Sequence, residues 1–102
     1  MITVDLFKNE QGLITGYKVS GHAGFAAAGE DIVCGAVSVL TQTPILGLEQ
    51  SYHVDEEDGI LEVNLNNTPN ELTQAILATM EYGLLGVAEQ YPKYVRIHTY
   101  RR

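Results

Sequence analysis

Along the first residues of this chain, apolar Ile2, Val4 and Leu6 interleave with polar Thr3, Asp5 and Lys8, the period-two pattern of a half-buried strand. Asn9-Glu10-Gln11-Gly12 supplies turn chemistry, and Leu13 to Ser20 resumes an extended reading, so the two segments predict an antiparallel hairpin. The next stretch is built of small residues, Gly21, Ala23, Gly24, Ala26, Ala27, Ala28 and Gly29, and reads as a loop. Asp31 then offers an N-cap, and Val33, Ala36, Val37 and Leu40 follow helical spacing. That spacing predicts a helix from Ile32 to Thr43, with Pro44 ending it or kinking a continuation to Leu48.

The second half repeats this rhythm without repeating the sequence. Tyr52 to Glu56 and Leu61 to Asn66 read as strands joined through Glu57-Asp58-Gly59. Thr68-Pro69-Asn70-Glu71 reads as a capping box with proline at the first helical position. The helix it opens presents Leu72, Ile76, Met80, Leu84 and Val87 on one side and stops before Pro92; Val95, Ile97 and Thr99 make a last short strand. The order strand, strand, helix, strand, strand, helix, strand implies an α+β two-layer sandwich with a mixed, mostly antiparallel sheet and two main helices. Residues 1–102 are expected to form one domain.

Charge narrows the partners. Thirteen carboxylates against six Lys and Arg give a net charge of −7, which argues against direct binding to nucleic acid and suits a basic peptide. The basic residues of the closing segment, Arg101 and Arg102 behind Lys93 and Arg96, read as a solvated tail. A single cysteine, Cys34, excludes an internal disulfide. No signal-peptide pattern and no run approaching the ~20 apolar residues of a membrane span is present, so a reducing cytoplasm is the expected compartment, with no membrane partner.

The candidate chemistry lies between Gly21 and Cys34. With Asp31 as cap, Cys34 falls in the first helical turn, where unpaired N–H groups and the helix dipole favour the thiolate, the nucleophilic form. His22, twelve residues earlier, stands at the mouth of the small-residue loop, within easy reach as a base. Gly and Ala in that loop would let a substrate backbone approach, and the N–H of Cys34 is a candidate oxyanion donor. Each feature also has an ordinary structural reading: a lone cysteine in an apolar helix usually packs, and a histidine beside a glycine usually serves a turn. His53 and His98 fall in predicted strands, with no second cysteine or ligand spacing, so no metal is expected.

At these residues the chain resembles the ribosomal-processing cysteine protease family Prp. Gly21-His22-Ala23-Gly24 is followed by Gly29-Glu30-Asp31-Ile32-Val33-Cys34, with Ala36-Val37-Ser38 continuing the motif and Tyr91-Pro92-Lys93-Tyr94-Val95 closing the chain as the family does. The resemblance implies that Cys34 is the nucleophile and His22 its proton partner. Gly21, Ala23, Gly24, Phe25 and Gly29 would belong to the substrate loop. It further implies a homodimer without cofactor that removes the N-terminal extension of a large-subunit ribosomal protein. Asp31 has capping, orienting His22 or touching substrate open to it, and the first two are favoured because a carboxylate beside the thiol disfavours the thiolate. Ser38, one turn beyond Cys34, is expected to make a structural hydrogen bond. The chain departs from the family at Gly35, where alanine is commoner, and at Phe25, where tyrosine often stands. Two other classes remain open: a ribosome-assembly binding module in which Cys34 merely packs, and a redox sensor needing an intermolecular partner thiol.

Overall fold

The computed structural model describes residues 1–24, 26, 31–48, 52–57 and 59–102, with Tyr52 and His53 described through their backbone. Its elements follow the expected order: β1 (Ile2–Lys8), β2 (Ile14–Gly21), α1 (Ile32–Leu48), β3 (Tyr52–Glu57), β4 (Ile60–Leu65), α2 (Glu71–Gln90) and β5 (Val95–Arg101). The five strands form one sheet in the order β3-β4-β2-β1-β5. All pairings are antiparallel except β1 with β5, so the sheet is mixed. Among the described residues, no helix is long and apolar enough to cross a membrane.

The period-two pattern of β1 sets the layer order. Ile2, Val4 and Leu6 point into the core with Tyr17, Val33, Val37, Leu77, Met80 and Leu84, so both helices cover the same face of the sheet. Lys8, read as outward, lies beyond a register shift between Phe7 and Lys8, and its Nζ reaches Glu81 Oε2 on α2 at 3.2 Å. The hairpin turn is closed by Asn9, whose Oδ1 accepts from the N–H groups of Gln11 and Leu13, each at 3.0 Å. Gly12 completes it at φ +79°, where a side chain would be strained.

Gln74 of α2 ties the layers together. Its Oε1 accepts from the Ile14 N–H at 2.8 Å, and its Nε2 donates to the Ile14 carbonyl at 2.7 Å. Ile14 lies outside the β2–β4 register, which begins at Gly16, so the side chain stands in for a missing strand. Gln74→Leu would strand a donor and an acceptor on a buried residue, at about 1–3 kcal/mol each when unsatisfied. The expected loss is about 2–6 kcal/mol, read as a lower urea midpoint with the slope unchanged. A midpoint equal to wild type would mean that water replaces both bonds.

Three details differ from the sequence reading. Helix α1 runs through Pro44 to Leu48. An interior proline costs about 3 kcal/mol, but the turn beyond it buries Leu48 and seats Ile45 against the core, and fully burying such a side chain contributes about 1.5–3 kcal/mol. The two terms are comparable, so the helix continues. Helix α2 begins later than its apparent cap: Asn70, not Thr68, is the N-cap, with its Oδ1 accepting from Thr73 N–H at 2.9 Å and Thr73 Oγ1 accepting from Asn70 N–H at 3.0 Å. The buried stripe is accordingly Thr73, Leu77, Met80 and Leu84, and Leu72 is 68% exposed.

The closing arginines are not a solvated tail. Strand β5 continues to Arg101, opposite Lys8, and the Arg102 N–H donates to the Lys8 carbonyl at 2.8 Å. The Arg102 guanidinium lies 4.1 Å from the Phe7 ring centroid and 3.5 Å from Glu62 Oε2. Gly16, in the strand between Phe7 and Glu62, leaves the outer face low at that point. A strand edge and an aromatic ring fix the backbone of the segment, while both arginine side chains remain exposed.

Candidate active site

Strand β2 ends on Gly21 at φ +85°, packed against the Met1–Ile2 backbone at the start of β1. A Cβ there would collide with the Met1 carbonyl oxygen, so both the dihedral and the space require glycine. His22 follows directly and is exposed, whereas Ala23 is buried. Gly21→Ala is expected to destabilise the fold by about 1–3 kcal/mol through a strained backbone, and to turn the segment carrying His22. Its check is paired: a lowered melting temperature together with weaker peptide cleavage. An alanine variant as stable as wild type would show that the segment shifts at no cost.

Helix α1 presents the thiol. Asp31 Oδ1 accepts from the N–H groups of Val33 at 3.0 Å and Cys34 at 2.9 Å, and the Asp31 carbonyl takes the Gly35 N–H at 3.0 Å. The carboxylate therefore caps the helix and fixes the turn on which Cys34 sits. This arrangement corrects one expectation: the Cys34 N–H, a candidate oxyanion donor from sequence, is already bound by the Asp31 carboxylate. Among the described residues, the amide that faces the sulfur is that of Ala23, whose N–H donates to Cys34 Sγ at 3.4 Å.

Cys34 is half-buried, with part of its side chain against the core. His22, Cys34 and Ser38 line a cleft with two arms that meet at these three residues. One arm, about 520 Å³, is walled by Gly24, Ala26, Asp31 and Gly35, and so by backbone and small side chains. The other, about 270 Å³, is walled by Ile2, Val19, Val37, Ile60 and Leu61, with Glu56 and Glu57 on the β3–β4 hairpin. Together they have the dimensions of an ordinary ligand cleft, with backbone contacts on one side and an apolar, acid-edged wall on the other.

Of the residues singled out from sequence, His22, Cys34, Ser38, Asp31, Gly21 and Gly24 come together on this cleft. Ala23 lies behind it, joined to the sulfur through its amide. Ser38 is exposed at the junction of the arms, a place open to a bound chain. Phe25 and Gly29 lie outside the described residues. Gly35 has nothing within 4 Å of where a Cβ would stand, so alanine would fit there without contact. His98 is remote from the cleft and stacks on Tyr100 at 6.1 Å between ring centroids. Among the described residues, no three histidine, cysteine or acidic side chains are grouped to hold a metal.

Sequence reasoning missed the far wall. Gly59, at φ +73° in the β3–β4 turn, stands beside His22, with Nε2 4.0 Å from the position of its missing Cβ. In the sequence this glycine reads only as a turn residue. Its place against the imidazole depends on β4 pairing with β2, which puts Ile60 opposite Ser20 at the strand end that carries His22.

Comparison with known proteins agrees with this geometry. Residues 1–96 match the family model described as cysteine protease Prp. The chain is 35% identical over 104 aligned positions to the ribosomal processing cysteine protease Prp of Staphylococcus aureus strain Mu50, covering 96% of this chain and 98% of that one. Its fold matches the S. aureus protease crystallised with a covalently linked product peptide, with a TM-score of 0.92 and 28% identity over 98% of this chain and 100% of that one. A crystal structure of the S. aureus protease with a substrate peptide gives a TM-score of 0.84 and 30% identity over 98% of this chain and 100% of that one. A protein from Streptococcus mutans gives 0.81 and 28% identity, covering 100% of this chain and 96% of that one. With a family model spanning nearly all of its length and a curated relative above 30% identity, this chain belongs to the Prp family of cysteine proteases.

Proposed function

We propose that this chain is the cytoplasmic endopeptidase that removes the N-terminal extension of a large-subunit ribosomal protein, with Cys34 as nucleophile and His22 as its proton partner. The observation that carries the reading is the shared cleft: the molecule's single thiol and an exposed imidazole open onto one groove, at the junction of arms of about 520 and 270 Å³. In this reading His22 takes the thiol proton and the thiolate attacks the scissile carbonyl carbon. The carbonyl electron pair moves to oxygen, and collapse of that intermediate expels the amine, which receives its proton from His22. Water, deprotonated by His22, then releases the acyl group from sulfur. No metal or cofactor enters.

The acidic surface fits a basic ribosomal client. The net charge of −7 favours encounter with such a protein and disfavours direct contact with the phosphates of ribosomal RNA. A homodimer is part of the proposal. It is supported by the apolar outer face of the helices, where Val39 is 65% and Leu46 79% exposed beside a groove floored by Leu40, Ile76 and Met80. Twice the 11.2 kDa chain mass in solution is the expected result.

The deciding experiment is to incubate the pure protein with the unprocessed ribosomal protein and weigh the products. A single cut near the client's N-terminus supports the assignment. An intact client, under conditions where the S. aureus protease cuts its own, would overturn it.

A further inference from the structure

We propose that the backbone N–H of Ala23 is a catalytic donor, holding the Cys34 thiolate before attack and the carbonyl oxyanion after it. The inference rests on the protease reading above and adds a group which that reading does not contain. Three consecutive amides at the start of α1 are committed: those of Val33 and Cys34 to the Asp31 carboxylate, and that of Gly35 to the Asp31 carbonyl. An oxyanion brought to the Cys34 N–H would meet a donor already bound to a carboxylate oxygen, and two anions would compete for one proton. The Cys34 amide, the donor that proximity to the nucleophile would suggest, is therefore closed to substrate.

Ala23 approaches the sulfur from behind the cleft wall. Its N–H donates to Sγ at 3.4 Å, and the residue is only 5% exposed, so water competes weakly for that donor. The donor is also preorganised. Gly21 at φ +85° turns the chain at the end of β2, so that His22 lines the cleft with Cys34 while the next amide, that of Ala23, reaches the sulfur from behind.

Charge moves a short way in the reaction. As the C–S bond forms, the negative charge leaves sulfur for the carbonyl oxygen, now bonded to the carbon that sulfur has attacked. A donor aimed at the sulfur follows the charge by a small reorientation and needs no new desolvation. In the resting enzyme the same N–H is hydrogen-bonded to the sulfur. One amide thus serves both states, and His22, the preceding residue, handles the proton.

The test replaces that N–H by an ester oxygen in the full chain made by total synthesis, beside an all-amide synthetic control. Two quantities are read: kcat/KM on the extension peptide, and the pH dependence of Cys34 alkylation by iodoacetamide. We expect kcat/KM about 10²-fold below the control, the scale of one lost oxyanion donor. The alkylation profile should move to higher pH. Activity within about twofold of the control, or an unmoved alkylation profile, would overturn the role of Ala23 and leave the protease intact. An all-amide control that does not cut the peptide would instead sink the protease reading, and the alkylation profile would still decide the Ala23 bond. Should the ester chain fail to fold, ¹⁵N–¹H spectra of the wild type decide the matter. The Ala23 amide proton should shift downfield as Cys34 ionises and stay there when a peptide aldehyde forms its hemithioacetal; an Ala23 resonance indifferent to both refutes the assignment.

Discussion

Cys34→Ala is expected to leave the unprocessed ribosomal protein uncut, with kcat/KM lowered by about 10⁴-fold or more, the scale set by removing a covalent nucleophile. The fold should survive. Cys34 is half-buried and packs on the core only in part, so deleting the sulfur opens little space and leaves one donor, the Ala23 N–H, without its partner. Those losses amount to about 1–2 kcal/mol, or roughly 4–16 °C in melting temperature for a domain of this size. The result that matters is the separation of the two numbers: a rate lost by orders of magnitude in a protein still folded at the assay temperature. A variant that kept more than about one hundredth of the wild-type rate would show that the sulfur is not the attacking atom.

How far the sequence carried each conclusion follows from the range of the interactions involved. Elements fixed by local pattern were legible: the alternation at Ile2, Val4 and Leu6, the turn at Asn9 to Gly12 and the stop before Pro92 appear where the pattern put them. Errors gathered where a distant contact outweighed a local preference. Pro44 left two courses open, an end or a continuation to Leu48, and the second is taken because Leu48 and Ile45 are held by the core. Thr68-Pro69-Asn70-Glu71 satisfies a capping template, but Asn70 with Thr73 satisfies it two residues later with a reciprocal pair, and at the helix start Thr73 is buried in place of Leu72. Arg102 reads as part of a tail until the β1–β5 pairing holds the segment as a strand and brings Phe7 beneath its guanidinium.

The site divides in the same way. Sequence put His22 and Cys34 within easy reach of each other because one loop joins the strand end to the helix start. It also offered Asp31 as a cap, because an aspartate ahead of a helical run can accept from the unpaired N–H groups of the first turn. It could not see which amide the cap would consume. That depends on the rotamer by which Oδ1 takes both the Val33 and Cys34 N–H groups, and the choice redirects the search for an oxyanion donor to Ala23. Nor could spacing show that Gly59, Ile60 and Leu61 would face the pair, since they arrive through strand order and not through nearness in the chain.

His22→Ala separates the protease from a module in which the thiol merely packs. His22 is exposed and ends no element, so its loss should leave stability within about 0.5 kcal/mol of wild type. Cleavage should fall by about 10²–10⁴-fold, the usual worth of a positioned acid–base group, with most of the loss in kcat because the cleft that binds peptide is unchanged. A second readout needs no substrate. Wild-type Cys34 should react with iodoacetamide faster than free cysteine at neutral pH, and the variant should lose much of that excess, since the imidazole no longer takes the proton. Imidazole added to the buffer should restore part of the cleavage in the alanine variant, entering the space left open between Gly59 and the thiol. If alkylation and cleavage both ignored the substitution, the imidazole would have no share in the chemistry, and the thiol would need its base from another wall of the cleft.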